Sequence, residues 1–142
     1  MSETRTLYTP QLLALAVELG SYPAREDLAF HGEGRSQTCG STVAMDLGLD
    51  DDGRVDSLGM RVRACAVGQA SAAIFARAVM GLDIAAIRTA QDAISAWLNE
   101  DGPLPEWPGF AVLEPAQAYP GRHGAILLPW KSALTALSTS AG

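Results

Sequence analysis

The feature that most constrains this chain is a pair of alternating segments joined by an acidic turn, with a cysteine beyond each outer end. Val43, Met45, Leu47 and Leu49 alternate with Ala44, Asp46 and Gly48, the period-2 pattern of a strand with one buried face. Asp50-Asp51-Asp52-Gly53 follows, a turn whose glycine takes positive φ without steric cost. In the next segment Leu58, Met60, Val62 and Ala64 alternate with Arg61 and Arg63, which predicts a second strand. Val55 lies out of phase with that set, so a bulge or register shift is expected near Asp56-Ser57.

An antiparallel hairpin brings the start of its first strand beside the end of its second. The turn at 50–53 lies nearly midway between Cys39 and Cys65, so both thiols are expected at one end of the sheet. Cys39 precedes Gly40, which allows close backbone approach to a bound group. Cys65 stands where a strand gives way to a helix, and the positive end of a helix favours a thiolate. Paired thiolates suit iron, zinc or sulfide. Two of them are still short of the four ligands that zinc and clusters usually take. The plain alternative is that both cysteines are small buried hydrophobes.

Elsewhere the pattern is mostly helical. Thr9 caps a first helix that opens with Pro10 and stops at Gly20, with Leu12, Leu15 and Leu19 as its apolar stripe and Leu13 and Val17 beside them. Ser21 to Thr38 reads as loop, with at most a short strand around Leu28-Ala29-Phe30. From about Val67 the chain turns helical, and Gln69 to Met80 reads as an alanine-rich, mostly buried helix that ends at Gly81. Asp83 caps the next, whose core candidates are Ile84, Ile87, Ile94, Trp97 and Leu98. Pro103, Pro105 and Pro108 mark a loop, a short helix spans Gly109 to Ala118, and Tyr119-Pro120-Gly121 breaks it. A last helix is expected from about Leu128 to Leu137, with Trp130 in the core and Trp107 exposed or packing the insertion. Helix, hairpin, then several helices indicate an α+β fold, a small antiparallel sheet covered on one face by helices.

Composition excludes several functions. A formal charge of −6 argues against nucleic acid, which needs a basic face to displace counterions. No apolar run reaches the ~18 to 20 residues of a membrane-spanning helix. The opening Met1-Ser2-Glu3-Thr4-Arg5 lacks the apolar core of a secretory signal. A cytoplasmic protein is expected, and in that reducing compartment Cys39 and Cys65 are free thiols. At 142 residues the chain is expected to form one domain, with its core over about 8–138 and an insertion over about 102–121.

Thr38-Cys39-Gly40-Ser41, the hairpin with Asp52-Gly53 at its turn, and Arg63-Ala64-Cys65-Ala66-Val67-Gly68-Gln69-Ala70-Ser71-Ala72-Ala73 together resemble the U-type iron–sulfur cluster assembly scaffolds. That family includes the N-terminal domain of NifU and the IscU and SufU scaffolds. Arg122-His123-Gly124-Ala125-Ile126-Leu127-Leu128-Pro129-Trp130-Lys131 is similar to the segment that carries the family's third cysteine. The insertion is similar to that of the longer, SufU-like members.

The resemblance implies a U-type scaffold (SufE/NifU-like) architecture and a non-enzymatic platform for a transient iron–sulfur cluster, or zinc. Sulfur would come from a cysteine desulfurase, and the cluster would pass to cluster-accepting proteins. By position, Cys39 and Cys65 match two thiolate ligands. Ser41 stands where the family has aspartate, and Ala125 where it has its third cysteine. His123 is then the candidate substitute ligand, with His31, beside Glu33, a weaker one. A second subunit can also complete a two-thiolate site by symmetry, so a homodimer is among the expected states. Two further readings follow from the departures. One is a degenerate scaffold that acts only by binding partners, the other a sulfur-transfer accessory that accepts persulfide on a cysteine.

Overall fold

The structure, a computed structural model, describes residues 8–37 and 40–139. Cys39, with Thr38, lies outside the described residues. Strands β1 (Phe30–Arg35), β2 (Thr42–Leu49) and β3 (Val55–Arg63) form an antiparallel sheet in the order β1-β2-β3. Helices α1 (Pro10–Glu18), α2 (Ala66–Ala78), α3 (Ile84–Asn99) and α4 (Pro120–Thr139) complete the described regular structure, with 3-10 segments at Leu19–Ser21 and Phe110–Ala118. No helix among the described residues is long and apolar enough to cross a membrane.

The hairpin forms in the expected register. Thr42 faces Arg63 at one end, and Asp50 closes the other by accepting from the Asp52 and Arg54 amides at 2.9 and 3.0 Å. Gly53 takes φ 78° in the turn. Gly48 faces Ser57 but Leu49 faces Val55, so Asp56 is the extra residue of the expected bulge. Val43, Met45, Leu47, Leu58 and Met60 are buried on the helix-covered face.

Three expectations are corrected. The loop reading of 21–38 fails over Phe30–Arg35, which is a paired strand. Its glycines allow contact rather than irregular backbone. A Cβ on Gly32 would lie 2.4 Å from the Ala136 nitrogen, and one on Gly34 would lie 2.6 Å from Ser132 Oγ. Both positions therefore seat α4 directly on β1. The last helix begins at Pro120 and not near Leu128, because proline is well suited to a first helical position. Leu13 and Val17 are exposed, so the inward stripe of α1 is Leu12 and Leu15.

Thr9 caps α1 through the Leu12 amide at 3.2 Å, and Asp83 caps α3 through the Ala86 amide at 2.9 Å. The bidentate Arg77–Glu18 pair ties α2 to α1. The insertion folds back through Trp107, which is buried and donates from Nε1 to the Ile74 carbonyl at 2.9 Å. Trp107 stacks on Phe75 at 5.6 Å, and Trp130 meets both rings edge-on at 5.2 and 5.4 Å. This aromatic centre fixes α2, α4 and the insertion to one another.

Candidate functional site

Three chain segments converge at the end of the sheet opposite the hairpin turn. The first is the β1–β2 connection, closed by Ser36 N–H donating to the Ser41 carbonyl at 2.8 Å and Gly40 N–H to the Ser36 carbonyl at 2.9 Å. Gly40 has φ 73°, a conformation side chains rarely adopt. Ser41 is buried at 4% exposure, immediately before β2. Position 39 belongs to this connection by sequence.

The second is the β3–α2 junction. Cys65 is a half-buried free thiol and the N-cap residue of α2, in extended conformation with no capping bond from its side chain. Its sulfur stays available while the first amides of α2 point toward that end. Gln69 braces the junction by donating from Nε2 to the Ala64 carbonyl at 2.9 Å.

The start of α4 is the third. A Cβ on Gly124 would lie 2.4 Å from Ser36 Oγ, so the glycine lets α4 touch the β1–β2 connection. A Cβ on Gly68 would come within 3.1 Å of the Ala125 Cβ, so Ala125 sits against the first turns of α2. Ser71 Oγ donates to the Ile126 carbonyl at 2.6 Å and locks the two helices together. Pro129 has no N–H to offer the Ala125 carbonyl four residues earlier. Ala125 itself is 1% exposed.

His123 faces elsewhere. Its Nε2 lies 2.7 Å from the Gln117 carbonyl, which can only accept, so this nitrogen carries the proton. His31 lies toward the turn end of the sheet, opposite Asp46, with Nδ1 2.7 Å from Asp46 Oδ1. The hydrogen bond to Asp46 raises the His31 pKa, against a smaller lowering by desolvation. Asp46 is buried and also accepts from the Arg25 amide at 2.8 Å. Among the described residues no three of His, Cys, Asp and Glu gather as a metal-holding group. Within that set the donor count is one thiol, which falls short of a cluster's usual ligand shell.

The crystal structure of a nitrogen-fixing NifU-like protein (N-terminal) from Brucella abortus matches with a TM-score of 0.86 and 32% identity, covering 96% of this chain and 96% of that one. The chain belongs to the NifU-like, U-type scaffold family. A protein described as an iron–sulfur cluster assembly scaffold for the SUF system, from the thermophile Fervidobacterium islandicum, matches with a TM-score of 0.80 and 19% identity. It covers 93% of this chain and 97% of its own, and at that identity shows the fold alone. No protein-family pattern and no curated protein matches the sequence.

Within the U-type frame, the neighbours of position 39, Cys65 and Ala125 occupy one end of the molecule. The residues that make this possible were missed from sequence. Gly68 and Gly124 carry the close helix approaches, and the only signal was their place among small residues.

Proposed function

We propose that this chain is a scaffold-like carrier in iron–sulfur cluster assembly, with iron and sulfide as cargo on the thiolates of Cys39 and Cys65. The observation that carries the reading is Cys65 at the N-cap of α2, the helix whose Gly68 packs against the buried Ala125, across the sheet end from the Ser36–Ser41 connection. The NifU-like relationship supports the same cargo. The chain acts as a platform and not as an enzyme, in the cytoplasm, receiving sulfur from a cysteine desulfurase and handing on to cluster-accepting proteins.

In sulfur delivery, a thiolate of this chain attacks the outer sulfur of the partner's cysteine persulfide. A new S–S bond forms, the old one breaks, and the partner's thiolate leaves with the electron pair. The backbone amides at the start of α2 would face the negative charge of the bound sulfur. Neither Ser41 nor Ala125 supplies an anionic ligand, so the remaining coordination comes from cargo sulfide, from His123 after release from Gln117, or from a second copy. Zinc would occupy the same thiolates.

A second reading, partner binding alone, is favoured by the His123–Gln117 bond and by Ala125 at the third ligand position. One experiment separates the two. After incubation with cysteine and a cysteine desulfurase, intact mass should rise by one sulfur atom in the wild type, and the gain should map to Cys39 or Cys65. Persulfide on neither cysteine, with desulfurase binding retained, would leave partner binding as the function.

A further inference from the structure

The uncovered face of the sheet is unlike the rest of this acidic chain. Cross-strand pairing places Arg35, Thr42 and Arg63 in one row, and Glu33, Ala44 and Arg61 in the next. Directly opposed residues point to the same side of a sheet. These six share the side of Asp46, and the opposite side carries Gly32, Gly34, Val43 and Met45 against α4.

Only half of this outer face is covered among the described residues. Toward the turn, the segment 22–28 lies across it. A Cβ on Gly59 would lie 2.5 Å from the Pro23 carbonyl oxygen and 2.6 Å from the Arg25 nitrogen, and one on Gly48 would lie 3.4 Å from Leu28. Toward the thiol end, Thr42 lies between the exposed Arg35 and Arg63, and Ala44 between the exposed Glu33 and Arg61. Arg35, Arg61 and Arg63 form no ion pair among the described residues, whereas Arg25 and Arg77 are each paired to a carboxylate.

Charge is therefore divided along the sheet. Asp50, Asp51, Asp52 and Asp56 cluster with Arg54 at the hairpin turn, whereas Arg35, Arg61 and Arg63 outnumber Glu33 toward the end that bears Cys65. On a chain of net charge −6, an acidic surface is repelled nearly everywhere else. Arg35 also opens onto a hollow of about 270 Å3 beside Ser36, Gln37, Gly124 and Lys131, which adds a second cation and no acid at the rim.

We propose that the thiol-end half of the open sheet face is a docking surface for an acidic segment of a partner protein. Arg35, Arg61 and Arg63 engage its carboxylates, and Lys131 extends the same field around the edge of β1. Arg35 and Arg63 sit two strands apart, roughly 10 Å, and alternate residues of an extended segment are about 7 Å apart. Flexible arginine side chains bridge that difference and bind carboxylates in bidentate pairs. Such steering would bring a partner to the sheet end beside Cys65. The proposal rests on the scaffold reading only for the partner's role, since the charge argument stands without it.

The test is fluorescence anisotropy with a fluorescein-labelled peptide of ten alternating Asp and Glu residues at low salt. Saturable binding by the wild type is expected, weakened roughly tenfold in the triple variant Arg35→Gln/Arg61→Gln/Arg63→Gln. Arg88→Gln, which removes an exposed charge from α3, should leave it unchanged. Should the triple variant fail to fold, Arg61→Gln alone is expected to weaken binding roughly threefold. No binding by the wild type, or equal binding by the arginine variants, overturns the proposal. So does tighter binding of an oligothymidylate than of the peptide, which would make this a nucleic-acid face. Iron and acid-labile sulfide uptake by the same samples after anaerobic reconstitution separates the two readings, because the cysteines are untouched. Absent peptide binding with iron and sulfide taken up sinks the docking surface alone, and peptide binding without iron and sulfide uptake sinks the scaffold reading alone.

Discussion

His31 and His123 hold comparable imidazoles in different relations to their surroundings. His123 spends a proton on the Gln117 carbonyl, a bond that anchors the start of α4 to the insertion. His31 faces a buried carboxylate, and the hydrogen bond to Asp46 raises its pKa. A raised folded-state pKa contributes stability that is complete below the unfolded value of about 6.5 and is lost as pH rises through the folded value. Replacing His31 by Gln should therefore cost more in melting temperature at pH ~5.5 than at pH ~8.5. Thermal melts of both proteins across that range check this, and a pH-independent difference would contradict it.

Residue chemistry was legible unevenly. That Cys65 would end a strand and open a helix followed from its neighbours, and the structure makes it the N-cap of α2. Imidazole orientation was not legible, because which acceptor a histidine finds depends on where an insertion of uncertain conformation folds back. Gln117 lies in that insertion, in a 3-10 segment.

Among the elements, β1 and α4 depend most closely on each other. The glycines that suggested loop are the positions where a helix backbone meets a strand, and periodicity carries no trace of such a contact. A Cβ on Gly32 would meet the Ala136 nitrogen at 2.4 Å and its Cα at 2.7 Å, both backbone atoms that no rotamer change can move. Gly32→Ala should cost about 1 to 3 kcal/mol, seen as a melting temperature lower by roughly 4 °C or more. Gly20→Ala, where a Cβ would meet nothing within 4 Å, is the matched control. Equal stability of the two variants would remove the tight α4–β1 contact from the account. The hairpin, its bulge at Asp56 and the capped starts of α1 and α3 were all readable, because each rests on local pattern and turn chemistry.

On the scale of the whole molecule, one end of the sheet gathers what the rest lacks. Cys65, the closed Ser36–Ser41 connection, the start of α4 and the unpaired arginines of the open face all lie there. The convergence of the two cysteine-bearing segments followed from hairpin symmetry, and Thr42 opposite Arg63 bears it out for the flanking residues. The charge division was only half visible, since Arg35 joins Arg61 and Arg63 only once residues 30–35 are known to be a strand.

The central claim is that this end binds iron and sulfide through Cys39 and Cys65. It is tested most directly by iron and acid-labile sulfide content after anaerobic reconstitution, in the wild type and in Cys39→Ser/Cys65→Ser. The account predicts that both are bound by the wild type and lost together in the double variant. Equal content in the two proteins, or none in either, would contradict it.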